Sequence, residues 1–132
     1  FADGNSSHLP HNYSQNCLAY IGTHDNNTLL GWLWDLDDSK RKLVLEYCGF
    51  KGDDWGKGGY HSESCRAVIE TVWKTAASVA VIPFQDLCGF GCDARMNIPG
   101  VPKDNWRFRT TFETIDSVDD LYFKKINGLF FR

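Results

Sequence analysis

Apolar positions along this chain fall into two short solid blocks and four helical stripes. Leu18-Ala19-Tyr20-Ile21 is a β-prone run that stops at Gly22, which predicts a strand over 18–22. Beyond it the spacing turns helical: Leu29, Leu30, Leu33 and Leu36 gather on one side, with Asn27 placed as the N-cap. A second helix is predicted over 39–47, apolar at Leu43, Val44 and Tyr47 and ended by Gly49. Residues 49–61, dense in glycine and charge, read as a surface loop. From Ser62 the best amphipathic stripe follows, with Cys65, Val68, Ile69, Val72, Trp73 and Ala76 at spacings of three and four. It runs into Val79-Ala80-Val81-Ile82-Pro83, a pattern suited to a fully buried parallel strand. Gln85-Asp86 then open a glycine-punctuated segment ending in a Pro99-Gly100 loop. A last helix carries Val118, Leu121, Tyr122, Ile126 and Phe130 on one face.

Strands alternating with helices imply parallel βα units, so the chain is of the α/β class. Two such units cannot close a sheet. A (β/α)8 barrel needs about 250 residues, and the 132 residues here are expected to form one part of one. Within that frame, Gly22-Thr23-His24-Asp25-Asn26 places a carboxylate just past the C-terminal end of a strand, where barrel active sites lie.

Composition narrows the function classes. Hydrophobic content of 42% and aromatic content of 14% suit a packed core. A net charge of −3 without a basic patch excludes nucleic acid as the expected partner. No apolar run approaches the roughly 20 residues that span a bilayer, so no membrane role is expected. The start, Phe1-Ala2-Asp3-Gly4, has neither a methionine nor a signal pattern and reads as a cut within a longer chain. Five cysteines without a regular framework read as reduced thiols of a cytoplasmic protein. The sequons at Asn5, Asn12 and Asn26 are accordingly read as unmodified. His8-x-x-His11 encloses Pro10 and falls on no predicted helix, and Cys88-x-x-x-Cys92 lacks a second pair. No metal and no cofactor are expected.

Four ordered blocks carry a resemblance: His8-Leu9-Pro10-His11-Asn12-Tyr13; Gly22-Thr23-His24-Asp25-Asn26; Ile82-Pro83-Phe84-Gln85-Asp86-Leu87; and Ala94-Arg95-Met96-Asn97-Ile98-Pro99-Gly100 with Asn105-Trp106-Arg107-Phe108-Arg109. In this order they resemble the C-terminal part of glycoside hydrolase family 77, the 4-alpha-glucanotransferases or amylomaltases. The resemblance implies the last two to three βα units of a (β/α)8 TIM barrel, incomplete without its N-terminal part, with 49–61 as a variable surface loop. It implies retaining transfer of α-1,4-glucan segments between maltooligosaccharides, with α-glucan oligosaccharides and the missing barrel segments as partners. The family's nucleophile and acid/base lie on earlier strands, upstream of Phe1, so this chain alone is expected to be inactive. Asn27 stands where the family often has aspartate, Phe108 where it often has tryptophan, and Asp93 where glutamate is frequent.

By that resemblance Asp25 is the third carboxylate, gripping sugar hydroxyls at the cleaved bond. His24 donates to the same sugar, and Asn97 contacts substrate from the loop after the last strand. From the residues alone Asp25 also fits a helix cap, His24 a buried hydrogen-bonding histidine, and Asn97 a turn former before Pro99-Gly100. Gln85 and Asp86 either line the site or brace Arg95, itself read as a structural ion-pair partner. Trp55 and Tyr60 read as loop aromatics packed on neighbouring helices, with stacking on the apolar face of a glucan as the alternative, and Trp32, Trp34 and Trp73 as core. Two other readings stand beside the transferase: a non-catalytic glucan-binding remnant of the same fold, and, far behind, a thiol or zinc site.

Overall fold

The computed structural model describes residues 4–132. Strand β1 (Leu18–Tyr20) leads into helices α1 (Leu29–Asp35), α2 (Asp38–Tyr47) and α3 (Glu63–Trp73), then β2 (Val79–Val81) and α4 (Phe84–Leu87). Helices α5 (Phe112–Asp116) and α6 (Asp120–Phe130) close the chain, and 3-10 turns cover Pro10–Asn12 and Cys92–Ala94. Strands β1 and β2 pair in parallel, Leu18 opposite Val79 and Tyr20 opposite Val81. The βα reading of the alternation is therefore met, with three helices in the crossover. Among the described residues no helix is long and apolar enough to cross a membrane.

Local chemistry sets the helix ends. Helix α1 is capped by Thr28, whose Oγ1 accepts from Gly31 N at 3.2 Å, and not by Asn27 as the spacing suggested. Asn27 is occupied elsewhere, its Oδ1 accepting from Thr28 N and its Nδ2 donating to Asp35. Asp37 caps α2 and Ser62 caps α3. Gly49 ends α2 as expected: at φ 71° it turns the chain so that Phe50 N reaches Leu45 O and Gly49 N reaches Glu46 O.

The main core gathers Leu29, Leu30 and Leu33 of α1, Val44 and Leu45 of α2, Cys65, Val68 and Ile69 of α3, and Ile126 of α6. A smaller cluster joins Ala19 to Val72 and Ala77, with Ala80 packed on it. The stripe on α3 is thus correct, although the helix stops at Trp73, short of Ala76. Burial of the strands differs from expectation. Only Ala19 of β1 is buried, and β2 has only the half-buried Ala80: Leu18, Tyr20, Val79 and Val81 are all exposed. Alternation explains this, because the alanines face α3 and the four large residues face the opposite side of a sheet with only two strands.

Other readings are corrected by packing. Trp34 is exposed at 44%, while Trp32 and Trp73 are partly buried against the core. On α6 the packed residues are Tyr122, Phe123, Ile126 and Phe130, and Leu121 is 73% exposed. The rotation of α6 is set by its cap: Asp119 accepts from Tyr122 N and, through Oδ2, from Arg66 Nη2 of α3 at 2.6 Å. The 49–61 segment is a loop, yet a tied one. Gly59 N donates to Gly89 O at 2.9 Å, a backbone approach that side chains would obstruct.

Candidate active site

The chain leaves β1 through a tight turn at Thr23–Asn26. Asn26 N donates to Thr23 O at 3.1 Å, and Asn26 Oδ1 accepts from Thr23 N at 2.8 Å and Thr23 Oγ1 at 3.0 Å. An asparagine that folds back on its own turn in this way holds the two intervening residues outward. Those residues are His24 and Asp25. Asp25 caps no helix, since Thr28 does that work, so the capping alternative is set aside.

The loop after β2 meets this turn. Asn97 Nδ2 donates to Asp25 Oδ1 at 2.6 Å, and Asn97 N donates to His24 O at 3.1 Å. His24 Nε2 lies 3.2 Å from the same Asp25 Oδ1, with both side chains about half exposed. His24, Asp25 and Asn97, 72 residues apart at the extremes of the cluster's main bond, therefore form one constellation. Both contacts fall on Oδ1, and Oδ2 of Asp25 takes none among the described residues. Asn97 is not merely a turn former, because its amide is spent across the site.

Arg95 is a correction. Instead of an ion pair, its guanidinium donates to two backbone carbonyls, Asp25 O at 2.7 Å and Asn97 O at 2.8 Å. It ties the two loops together without competing for the Asp25 carboxylate. Gln85 Nε2 reaches Ala94 O at 3.4 Å. Asp86 braces the helix and not Arg95: buried at 3% exposure, its Oδ1 accepts from Leu29 N at 2.7 Å, at the first residue of α1. Burial pushes its carboxyl up to about 6, with the Leu29 hydrogen bond pulling the other way.

Trp106 is a site residue the sequence reading left without a role. Asn105 staples the loop through Ile98 N and Val101 O, and Trp106 N donates to Met96 O at 2.7 Å. Trp106 thereby sits at φ 62°, a costly conformation for a bulky residue. Its ring packs 5.1 Å from the His24 ring, and both line a cavity of about 200 Å³ with Asn27, Gln85, Asp86 and Arg95. The pairing of 94–100 with 105–109 was the only signal for it in the sequence.

The remaining candidates lie elsewhere. His11 bonds to the Tyr47 hydroxyl at 2.8 Å. Cys48, Cys65 and Cys88 are buried, and burial pushes the Cys65 thiol up to about 11. Trp55 packs under the Arg41 guanidinium at 4.0 Å, while Tyr60 is 46% exposed beside His61. No cluster of three or more possible metal ligands occurs among the described residues.

A family model described as 4-alpha-glucanotransferase, of glycosyl hydrolase family 77, matches residues 1–114. The chloroplastic/amyloplastic 4-alpha-glucanotransferase of Solanum tuberosum is 39% identical over 121 residues, covering 88% of this chain and 19% of the relative. That of Aquifex aeolicus is 34% identical over 132 residues, covering 100% of this chain and 25% of the relative. Among solved structures, amylomaltase from Streptococcus agalactiae in complex with acarbose superposes with a TM-score of 0.85 at 29% identity. That match covers 98% of this chain and 24% of the amylomaltase. The chain thus spans about a fifth to a quarter of these relatives, and its fold is a C-terminal part of their (β/α)8 barrel. With its paired parallel strands, its two site-bearing loops and a family match over most of its length, the chain belongs to glycoside hydrolase family 77.

Proposed function

We propose that residues 1–132 are the C-terminal part of a single catalytic barrel, with 49–61 a variable surface loop. The whole protein transfers α-1,4-glucan segments between maltooligosaccharides. Retaining transfer uses two carboxyl groups about 5–5.5 Å apart, one attacking the anomeric carbon and one serving the leaving oxygen. In this reading both reside on barrel segments outside this chain, an acceptor sugar hydroxyl takes the place of water, and Asp25 is the third carboxylate. One oxygen of Asp25 is held by Asn97 and His24, which leaves Oδ2 to accept from hydroxyls of the sugar at the cleaved bond. Those bonds strengthen as positive charge develops on the ring, so they favour the transition state over the bound substrate. His24 and Asn97 complete the sugar contacts.

The observation that carries this reading is the convergence of His24, Asp25 and Asn97 from two loops at the C-terminal end of paired parallel strands. The acarbose complex of the Streptococcus agalactiae amylomaltase supports an oligosaccharide as the ligand class. A reducing, cytoplasmic setting is part of the proposal and rests on the five free thiols. Disproportionation of maltotriose by the full-length protein, with the product anomer followed by NMR, tests it. Asp25→Asn is expected to lower kcat by about 10²–10³-fold. Wild-type turnover by Asp25→Asn, or an inverted product, would refute the assignment.

A further inference from the structure

The His24–Asp25 turn has two ends to be fixed. On one side β1 runs into it, with Ile21 N bonded to Val81 O at 3.4 Å. On the other side the chain enters α1 at Leu29, and here the anchor comes from the second βα unit. Asp86, on α4 just beyond β2, sends its carboxylate across to Leu29 N at 2.7 Å. We infer that Asp86 is a positioning residue for the site: by holding the first N–H of α1 it fixes the turn that carries His24 and Asp25.

Three observations separate this from ordinary capping. Thr28 already serves as the N-cap of α1 through Gly31 N, so Asp86 takes a different group, the Leu29 N–H that this cap leaves free. Asp86 bonds across 57 residues, from the segment that leads to Asn97, so one contact sets the spacing of the two loops whose side chains meet at Asp25 Oδ1. Asp86 is buried at 3% exposure and borders the cavity shared with His24, Arg95 and Trp106. A buried carboxylate is a costly way to hold one amide, and burial pushes its carboxyl up to about 6 even against the Leu29 hydrogen bond. A cost of that kind is retained where placement matters to function.

The inference rests on the proposed function only for its activity readout. In the full-length protein, Asp86→Ala removes the acceptor and Asp86→Asn keeps one. Amide hydrogen exchange over residues 22–30 is expected to speed by about tenfold in Asp86→Ala and to return close to wild type in Asp86→Asn. Maltotriose turnover should follow, with kcat down by as much as about 10²-fold in Asp86→Ala, KM little changed, and kcat restored in Asp86→Asn. If Asp86→Ala does not fold, Asp86→Glu, which keeps the charge but moves the acceptor by a methylene, should show the same faster exchange and lower kcat. Wild-type exchange and wild-type kcat in the folded variant would overturn the inference, even if its melting temperature fell. Absence of transfer by the wild-type protein would refute the proposed function instead, and the exchange result would still decide the role of Asp86.

Discussion

Replacing Asp86 by asparagine should stabilise the protein at neutral pH and do nothing for it in acid. Burial raises the Asp86 carboxyl from the ordinary 3.8 to about 6, so the folded state holds its proton more tightly than the unfolded chain does. Between those values the folded state binds more protons, and stability falls as pH rises through that window. The difference is about two units at 1.36 kcal/mol each, or roughly 3 kcal/mol of stability present below pH 4 and lost above about pH 7. Asparagine has the same shape and an acceptor for Leu29 N, but no charge to desolvate. Asp86→Asn should therefore gain up to about 3 kcal/mol over wild type at pH 8 and close to nothing at pH 4. The added amide needs a partner of its own, which trims the gain. Denaturant or thermal unfolding of both proteins at pH 4, 6 and 8 isolates the effect, because every other titrating group is shared and cancels in the difference. A variant-minus-wild-type difference that is flat across pH, or that favours wild type increasingly toward pH 8, would refute the reasoning.

Other outcomes are expected from the same structure. Gly89→Ala places a methyl inside contact distance of the Gly59 carbonyl and forces alanine to φ 62°. It should cost at least about 2 kcal/mol and speed exchange at the Gly59 amide, so unchanged stability would show that the two glycine segments do not clasp. Asn97→Asp sets a second carboxylate at the 2.6 Å contact with Asp25. One of the two must then hold a proton, so activity near neutral pH should fall and the acid side of the pH profile should move upward; an unchanged profile would separate Asn97 from Asp25. The 132-residue chain expressed alone exposes Leu18, Tyr20, Val79 and Val81 on one sheet face. It should aggregate or bind an apolar dye and show no transfer, whereas a monomer that unfolds cooperatively and disproportionates maltotriose would contradict this.

Hydrophobic spacing was enough to place β1, α2, α3, β2 and the start of the loops, because alternation and the 3.6-residue period are local properties of the chain. It also brought Asp25 to the end of a strand. Burial was legible on α3, whose stripe is covered within this chain by α1, α2 and α6, but not on the strands. Leu18, Tyr20, Val79 and Val81 are apolar for a surface that other barrel segments would cover, and within this chain they stay exposed. The sequence could show that Asn97, Arg95 and Asp86 were polar residues near glycine turns, yet not which groups they would meet. Those partners lie 57 to 72 residues away, and their contacts depend on the parallel pairing of β1 with β2, which sets the two loops side by side. The same holds for Trp106: its positive φ and its place against His24 follow from Asn105 stapling the loop, not from any propensity of tryptophan. Element type and the strand-end carboxylate are thus written in short-range pattern, while the grip on one oxygen of Asp25, the buried charge of Asp86 and the rotation of α6 arise from contacts that exist only once distant segments have packed.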